Sequence, residues 1–180
     1  MRIIREDCSG LVVDIQERLF PVMDKKEQFL NRILILLEGL KALEIPLLVT
    51  EQYPRGLGST IEPVKLALEP YAAIEKVAFS CCDEPAYSAS LGRLGRKKVI
   101  ICGIEAHVCV LQTVMDLLDG GYDPVVVADC ISSRHPEDKT TAIERMRASG
   151  AIITTSESVL FELARVAGTE EFKIISRLVK

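Results

Sequence analysis

The sequence lacks several features that mark particular classes of protein. Its 180 residues include no tryptophan and only two histidines, and the formal net charge is −4. Lysine and arginine form no block longer than the three residues at 96–98. Proteins that bind nucleic acid usually combine a basic surface with aromatic side chains that stack on bases. The composition therefore argues against nucleic acid as a partner.

Long apolar runs are missing as well. The stretch ILILLEGL is interrupted by Glu38 and falls short of the roughly 18 apolar residues of a membrane-spanning helix. The first ten residues, MRIIREDCSG, are charged at Arg2, Arg5, Glu6 and Asp7 and contain no apolar segment of the signal-peptide type. We therefore expect a cytoplasmic protein with no membrane partner.

The cysteines do not follow a metal-binding or disulfide-framework pattern. There are six of them, and no two are spaced as C-x-x-C. Cys81 and Cys82 are adjacent, so they are poorly placed to share one tetrahedral zinc ion. A chain of this length buries enough surface to fold without disulfide bonds. We expect free thiols in a reducing compartment, no metal and no other cofactor.

What the chain does contain is a regular alternation of short apolar runs and amphipathic helical patterns. Runs that are nearly continuous in Val, Ile and Leu are typical of parallel strands covered on both faces. They occupy residues 10–14, 45–51, 72–76, 97–103, 124–129 and 151–156. Helical patterns are clearest at residues 29–40, 110–118, 136–149 and 156–167, the last with Ser156 as its expected cap. The pattern predicts one α/β domain over residues 1–180 with a doubly wound sheet.

Ligands of such folds bind beyond the carboxyl ends of the strands, at the point where the strand order reverses. Three residues at or just after these ends could carry chemistry, namely Asp14, Lys76 and Cys109. Asp14 ends the first apolar run, although turn or cap aspartates are common there. Lys76 ends the third, where a solvated edge charge is the ordinary explanation.

Cys109 follows a loop and opens a helical pattern. Most buried cysteines are inert hydrophobic side chains, and Cys8 and Cys102 fit that description. Amides at a helix start, however, lower the pKa of a thiol and can donate to an oxyanion. Asp14, Lys76 and Cys109 together form a consistent set for a nucleophilic thiol, in which a carboxylate removes the thiol proton and an ammonium holds charge.

Histidine offers a rival partner for Cys109. His107 is only two residues away, and at that spacing the two side chains point apart. His135 could reach Cys109 from the loop after the fifth strand, although an ordinary loop position before Pro136 explains it better. Cys81, Cys82 and Cys130 also lie in strand-end loops and can line the same cleft without reacting.

Several stretches resemble the isochorismatase-like cysteine hydrolases, and most closely the isochorismatase domain-containing proteins. They are LVVDIQ, VTEQYPRGLGST, IEKVAFSC, VIICGIEAHVCVLQT, VVVADCISSR and ITTSESVLFEL, which together span nearly the whole chain. The resemblance implies a three-layer, six-stranded parallel sheet of order 3-2-1-4-5-6. In that order the strands before Asp14 and before the Gly103–Cys109 loop are neighbours.

Carried over residue by residue, the resemblance implies a catalytic triad. Asp14 corresponds to the acid/base aspartate of the family, Lys76 to its catalytic lysine and Cys109 to its nucleophile. It also implies a cis peptide between Ile104 and Glu105, and an oxyanion hole formed by the Glu105 and Cys109 backbone amides.

The sequence also separates branches of that family. Members that resemble nicotinamidases carry an Asp-x-His metal motif after the second strand, whereas this chain reads TEQYPRG there, with no histidine. Isochorismatases proper, which cleave a vinyl ether, lack the cysteine. Both differences favour metal-independent acyl chemistry on a small amide-type C–N bond, although the substrate is not named by the resemblance.

The expectation is thus an amidase-type hydrolase that acts on a small-molecule substrate through a thioester and assembles as a homo-oligomer. Five side chains beside the strand-end loops are candidates for the substrate pocket: Gln16, Phe20, Gln52, Tyr53 and Phe79. Phe20 has ordinary core packing as its main alternative. The alternatives for the function are a non-catalytic protein that binds a metabolite or partner, and an isochorismatase-type ether hydrolase.

Overall fold

A six-stranded parallel sheet runs through the centre of the molecule, which is described for residues 2–180 by a computed structural model. Its strand order is β3-β2-β1-β4-β5-β6, and every adjacent pair is parallel. The strands are β1 (Cys8–Val13), β2 (Leu47–Gln52), β3 (Ile74–Lys76), β4 (Lys98–Ile104), β5 (Asp123–Ser132) and β6 (Ile152–Thr154). The predicted sheet and its order are confirmed.

Helices cover both faces of this sheet. They are α1 (Lys26–Ala42), α2 (Pro54–Leu57), α3 (Glu62–Leu68), α4 (Pro85–Leu94), α5 (Leu111–Asp119), α6 (Pro136–Ala148), α7 (Ser156–Ala164) and α8 (Glu170–Leu178). The buried side chains of α1, α3, α7 and α8 belong to the apolar core on one face, and those of α4, α5 and α6 belong to the core on the other. This division produces the three layers. Among helices formed by residues 2–180, none is long and apolar enough to cross a membrane.

The centre of the sheet is formed by β1 and β4, which are buried along their whole lengths. Their register pairs Val13 with Gly103, so both strands end at the same level. Gly103 has φ of 130°, and a Cβ atom at this position would lie 2.1 Å from the carbonyl oxygen of Val13. Only glycine allows this close approach. The loops after β1 and β4 therefore leave the sheet side by side, as expected at a strand-order reversal.

The helix boundaries follow the predicted signals in most places. α6 starts at Pro136 and is followed by Gly150 with φ of 109°.

The prediction for the start of α7 needs correction. Thr155 occupies the cap position without a side-chain cap bond, and Ser156 is the first helical residue. The Asp129 carboxylate instead accepts hydrogen bonds from the Ser156 amide at 2.8 Å and hydroxyl at 2.6 Å. α7 ends at Ala164 rather than at residue 167.

Candidate active site

Asp14 lies immediately after β1, in a left-handed backbone conformation with φ of 50°. Its backbone N–H donates to the Thr50 carbonyl at 3.2 Å. The side chain is fully buried, and each carboxylate oxygen has a donor. The Thr50 hydroxyl donates to Oδ1 at 2.8 Å, and the Lys76 ammonium donates to Oδ2 at 2.7 Å. The carboxylate is therefore held from two sides.

Lys76 is the last residue of β3, and its side chain is completely buried. Besides Asp14, its Nζ donates to Gln52 Oε1 at 2.7 Å and to the carbonyls of Ala78 at 3.2 Å and Phe79 at 3.0 Å. Burial acts to lower the pKa of this ammonium, but the Asp14 carboxylate and the nearby thiols outweigh burial and leave the pKa raised. Lys76 and Asp14 thus form a fully buried, charged pair.

Cys109 lies in a π-helical turn, Ala106–Val110, that leads directly into α5. The peptide bond between Ile104 and Glu105, just before this turn, is cis, as the resemblance implied. The Cys109 side chain is buried, and the residue is 6% exposed. Burial and the Asp14 carboxylate raise the pKa of the thiol strongly, and Lys76 opposes them. The resting thiol is therefore protonated and lies within electrostatic reach of a carboxylate and an ammonium.

Two of the predicted pocket residues use their side chains to hold loops together. Gln16 is fully buried, and its amide donates to the carbonyls of Gln52 and Gly58 and accepts from the Gln52 N–H at 2.8 Å. Gln52 accepts from Lys76 and donates to the Val77 carbonyl at 2.6 Å. Gln16 thus has no exposed surface to offer a ligand in this structure. Gln52 contacts the candidate site through Lys76.

The three aromatic candidates are placed differently from one another. Phe20 packs against the core beside Phe29, with the ring centroids 6.4 Å apart, as its core alternative predicted. Tyr53 and Phe79 are 53% and 54% exposed. Tyr53 lines a cavity of about 350 Å³ together with Val77 and Lys76, although neither Asp14 nor Cys109 contributes to its wall. This cavity therefore lies beside the three central residues rather than over them.

Neither histidine is described in contact with Cys109, and the two are placed differently. His107 Nδ1 lies 2.9 Å from the Ser133 hydroxyl, and its Nε2 lies 3.8 Å from the Asp138 carboxylate. His135 occupies the cap position of α6 and is exposed. Next to His107, Glu105 pairs with Arg134, Oε2 to Nε, at 3.0 Å. These contacts attach the loop after β5 to the turn that carries Cys109.

Thr50, Cys81 and Thr113 complete the surroundings. Cys81 was expected only to line the cleft, and the two threonines were not singled out from the sequence. Thr113 donates to the Cys109 carbonyl at 2.7 Å and accepts from the Cys81 N–H at 2.9 Å. Cys81 Sγ lies 3.6 Å from the Thr50 hydroxyl. Within residues 2–180, no group of three or more His, Cys, Asp or Glu side chains is arranged to hold a metal ion. Metal independence of the reaction stays a prediction.

A buried carboxylate, a buried ammonium and a buried thiol are grouped where the strand order of the doubly wound sheet reverses. This arrangement defines the class of the molecule as an α/β protein with an enzyme-like site. The chain belongs to the isochorismatase domain family, whose model matches residues 10–158. Proteins of this family are generally hydrolases.

Individual relatives extend the comparison over nearly the whole chain. A secreted isochorismatase effector of Phytophthora sojae is 39% identical over 99% of this chain and 87% of its own length. The structure of the MAR1 ribonuclease of Caenorhabditis elegans is 37% identical with a TM-score of 0.93, covering 99% of this chain and 92% of that one.

Two further solved structures are bacterial YcaC proteins. The Pseudomonas aeruginosa protein, determined with covalent acrylamide, is 26% identical with a TM-score of 0.91, covering 97% of this chain and 89% of that one. The Escherichia coli protein is described as an octameric hydrolase of unknown specificity. It is 25% identical with a TM-score of 0.88, covering 92% of this chain and 83% of that one.

Proposed function

We propose that the protein is a metal-independent cysteine hydrolase that cleaves a small amide-type C–N bond through a thioester on Cys109. The observation that carries this proposal is the buried Asp14–Lys76 pair, with a 2.7 Å contact, within electrostatic reach of a buried thiol at the strand-order reversal. A protonated thiol is a poor nucleophile, so a neighbouring base is required for it to react.

In the first half of the reaction, Asp14 accepts the thiol proton while Cys109 Sγ attacks the amide carbon. The carbonyl π electrons move onto oxygen, and the oxyanion is bound by the backbone amides of Glu105 and Cys109. Lys76 balances the negative charge shared by Asp14 and the sulfur. Asp14 then returns the proton to the nitrogen as the C–N bond breaks, which releases the amine and leaves a thioester.

In the second half, Asp14 takes a proton from a water molecule as that water attacks the thioester carbon. The C–S bond breaks, and the proton returns to the sulfur. The products are a carboxylic acid and the resting enzyme. One carboxylate acts as acid and base in alternation, and the Lys76 contact keeps it in the same place throughout both halves.

The burial of the thiol favours a small substrate over a polymer. With Cys109 only 6% exposed, an RNA chain has little access to its sulfur. The net charge of −4 also disfavours a polyanion. We therefore propose a small amide as the substrate, although the C. elegans structure is described as a ribonuclease. A screen of small primary amides for ammonia release, with an RNA oligonucleotide included, tests this choice directly.

The test of the mechanism uses acrylamide, because the P. aeruginosa YcaC structure contains this compound in covalent form. In the native protein at pH 7, we expect a single mass addition that maps to Cys109. The addition should be lost in Cys109→Ser and slowed at least tenfold in Asp14→Asn, which cannot accept the proton. In Cys109→Ser, amide turnover should also fall below detection while the circular dichroism spectrum is retained.

Cys82 provides the matched control, because it is the one partly exposed cysteine among the described residues. Cys82→Ser should label at the rate of the unmodified protein. If the first label in the native protein falls on Cys82, Cys81 or Cys130 while Cys109 stays unreacted, Cys109 is an ordinary buried residue and the mechanism is wrong.

We also propose that the protein acts in the cytoplasm as a homo-oligomer. The octameric E. coli YcaC supports the assembly. The cytoplasmic assignment is supported by the free thiols of residues 2–180, although the P. sojae relative is described as secreted. Fractionation of cells that express the protein at its natural level tests the location.

A further inference from the structure

Thr50 is the second residue that holds Asp14, and the proposed mechanism does not use it. It lies on β2 directly beside the end of β1, with Val13 as its register partner. Its carbonyl accepts the Asp14 N–H at 3.2 Å, and its hydroxyl donates to Asp14 Oδ1 at 2.8 Å. Lys76 occupies the other oxygen. Backbone and carboxylate of Asp14 are thus both fixed by one threonine.

Cys81 is the second neighbour of the Thr50 hydroxyl. The sulfur is 3.6 Å from Thr50 Oγ1, and either atom could donate. An ionised carboxylate can only accept, so the single Thr50 proton is committed to Asp14 and the Cys81 thiol is the donor to Thr50. Burial and the nearby Asp14 charge raise the pKa of Cys81 to about 11, which keeps the proton on this sulfur at neutral pH. The result is a directed chain from Cys81 through Thr50 to Asp14.

We propose that Thr50, supported by Cys81, is a positioning residue that fixes the orientation of the Asp14 carboxylate toward Cys109. This inference rests on the proposed function of Asp14 as the base. Thr50 does not touch the reacting atoms. It acts by preventing rotation of the carboxylate about the bond that joins it to Cβ, a motion that the single contact with Lys76 would leave open. Small misplacements of a catalytic group cost large factors in rate.

The same arrangement gives Cys81 a function other than nucleophile. Its backbone N–H is bonded to the Thr113 hydroxyl, and that hydroxyl donates to the Cys109 carbonyl. Thr113 therefore ties Cys81 to the turn that carries Cys109, while Cys81 contacts the threonine that holds Asp14. One connected set of bonds spans both ends of the proposed proton transfer, and Thr50 is the member that touches the carboxylate.

The rate of Cys109 alkylation by acrylamide, measured by intact mass between pH 5 and pH 9, tests this inference without knowledge of the substrate. Thr50→Val keeps the shape and removes the hydroxyl. We expect about a tenfold loss of rate at pH 7, as for other hydrogen bonds to a charged group. We also expect the acid limb of the profile to move to higher pH, because the carboxylate loses a donor that favours its charged form.

Three further variants separate positioning from packing. Thr50→Ser restores the donor and should return the rate to within about threefold and the acid limb to its original pH. Cys81→Ala should lower the rate less than Thr50→Val does, because Thr50 then keeps its bond to Asp14. Thr60→Val is the matched control. It removes the hydroxyl of another fully buried threonine, one that donates to Glu51 instead, and should not change the rate.

Two outcomes overturn the inference. One is a Thr50→Val protein that labels at the native rate with an unmoved acid limb, and the other is a Thr50→Ser protein as slow as Thr50→Val. Failure of the proposed function gives a different result, since Cys109 of the native protein then fails to label at all. Thermal unfolding of each variant identifies any that do not fold, and Thr50→Ala replaces Thr50→Val in that case.

Discussion

Lys76 is a cation buried without any exposed side-chain surface, and its contacts explain why the fold tolerates it. Its ammonium is surrounded by the Asp14 carboxylate, the Gln52 side-chain oxygen and two backbone carbonyls. Removing water from a charge costs several kcal/mol unless such partners replace it. The pair is therefore interdependent, because loss of either partner leaves the other charge buried and uncompensated.

Lys76→Met should for this reason destabilise the fold by about 3–5 kcal/mol in urea unfolding. The double variant Asp14→Asn/Lys76→Met, which leaves no buried charge, should be more stable than Lys76→Met alone.

Because the pKa of Lys76 is raised above its ordinary value of 10.5, the folded state binds this proton more tightly than the unfolded state. The contribution of the Lys76 ammonium is complete below that value and is lost as pH rises through the folded pKa. The penalty of Lys76→Met should thus be equal at pH 7 and pH 9. A penalty below 1 kcal/mol at both would show that the ammonium is not compensated as described.

The junction of β1 and β4 is the element on which the site depends, because the loops that leave it carry Asp14 and Cys109. Gly103→Ala places a methyl group against the Val13 backbone at a φ that side chains avoid. We expect a loss of more than about 4 kcal/mol or failure to fold, since backbone atoms cannot move aside. Gly92→Ala in α4, where a Cβ meets no atom within 4 Å, should instead be neutral or stabilise by up to about 1 kcal/mol. Paired urea unfolding curves measure both, and equal stabilities would contradict the packing described here.

The central elements were predictable from the sequence because their residues signal burial strongly. β1 and β4 are continuous apolar runs, and Asp14 and Lys76 stand out as charges at the ends of such runs. α4 was not predicted, since PAYSASLGRL buries only Tyr87 and Leu91. Gln16 was predicted to line the substrate pocket, and neither its burial among backbone partners nor the bond from Thr50 to Asp14 was predicted. Their partners are backbone atoms of Gly58 and an oxygen of Asp14, and such contacts across strands leave no periodic trace in the sequence.

On the scale of the whole molecule, large apolar side chains are exposed beside the site. Val77 is 77% exposed and lines the cavity that Tyr53 also borders. Light scattering at micromolar concentration should give a mass that is a multiple of the 19.9 kDa chain. Val77→Glu should reduce that mass, because a charge at an interface is costly to bury. Val166→Glu, at a 61% exposed position before α8, is the control and should leave it unchanged. A native species of 19.9 kDa alone would contradict the proposed assembly.

The strand order also determines when the site is assembled during synthesis. The first three strands form one half of the sheet and the last three form the other. Within the sheet, the two halves are hydrogen-bonded through β1 and β4. The carboxylate and the ammonium both belong to the half that leaves the ribosome first, whereas the thiol belongs to the second. Contacts so distant in sequence form late, because a long loop must close first. The residues of the charged pair therefore emerge before the nucleophile, and Cys109 acquires its base only when the two halves join.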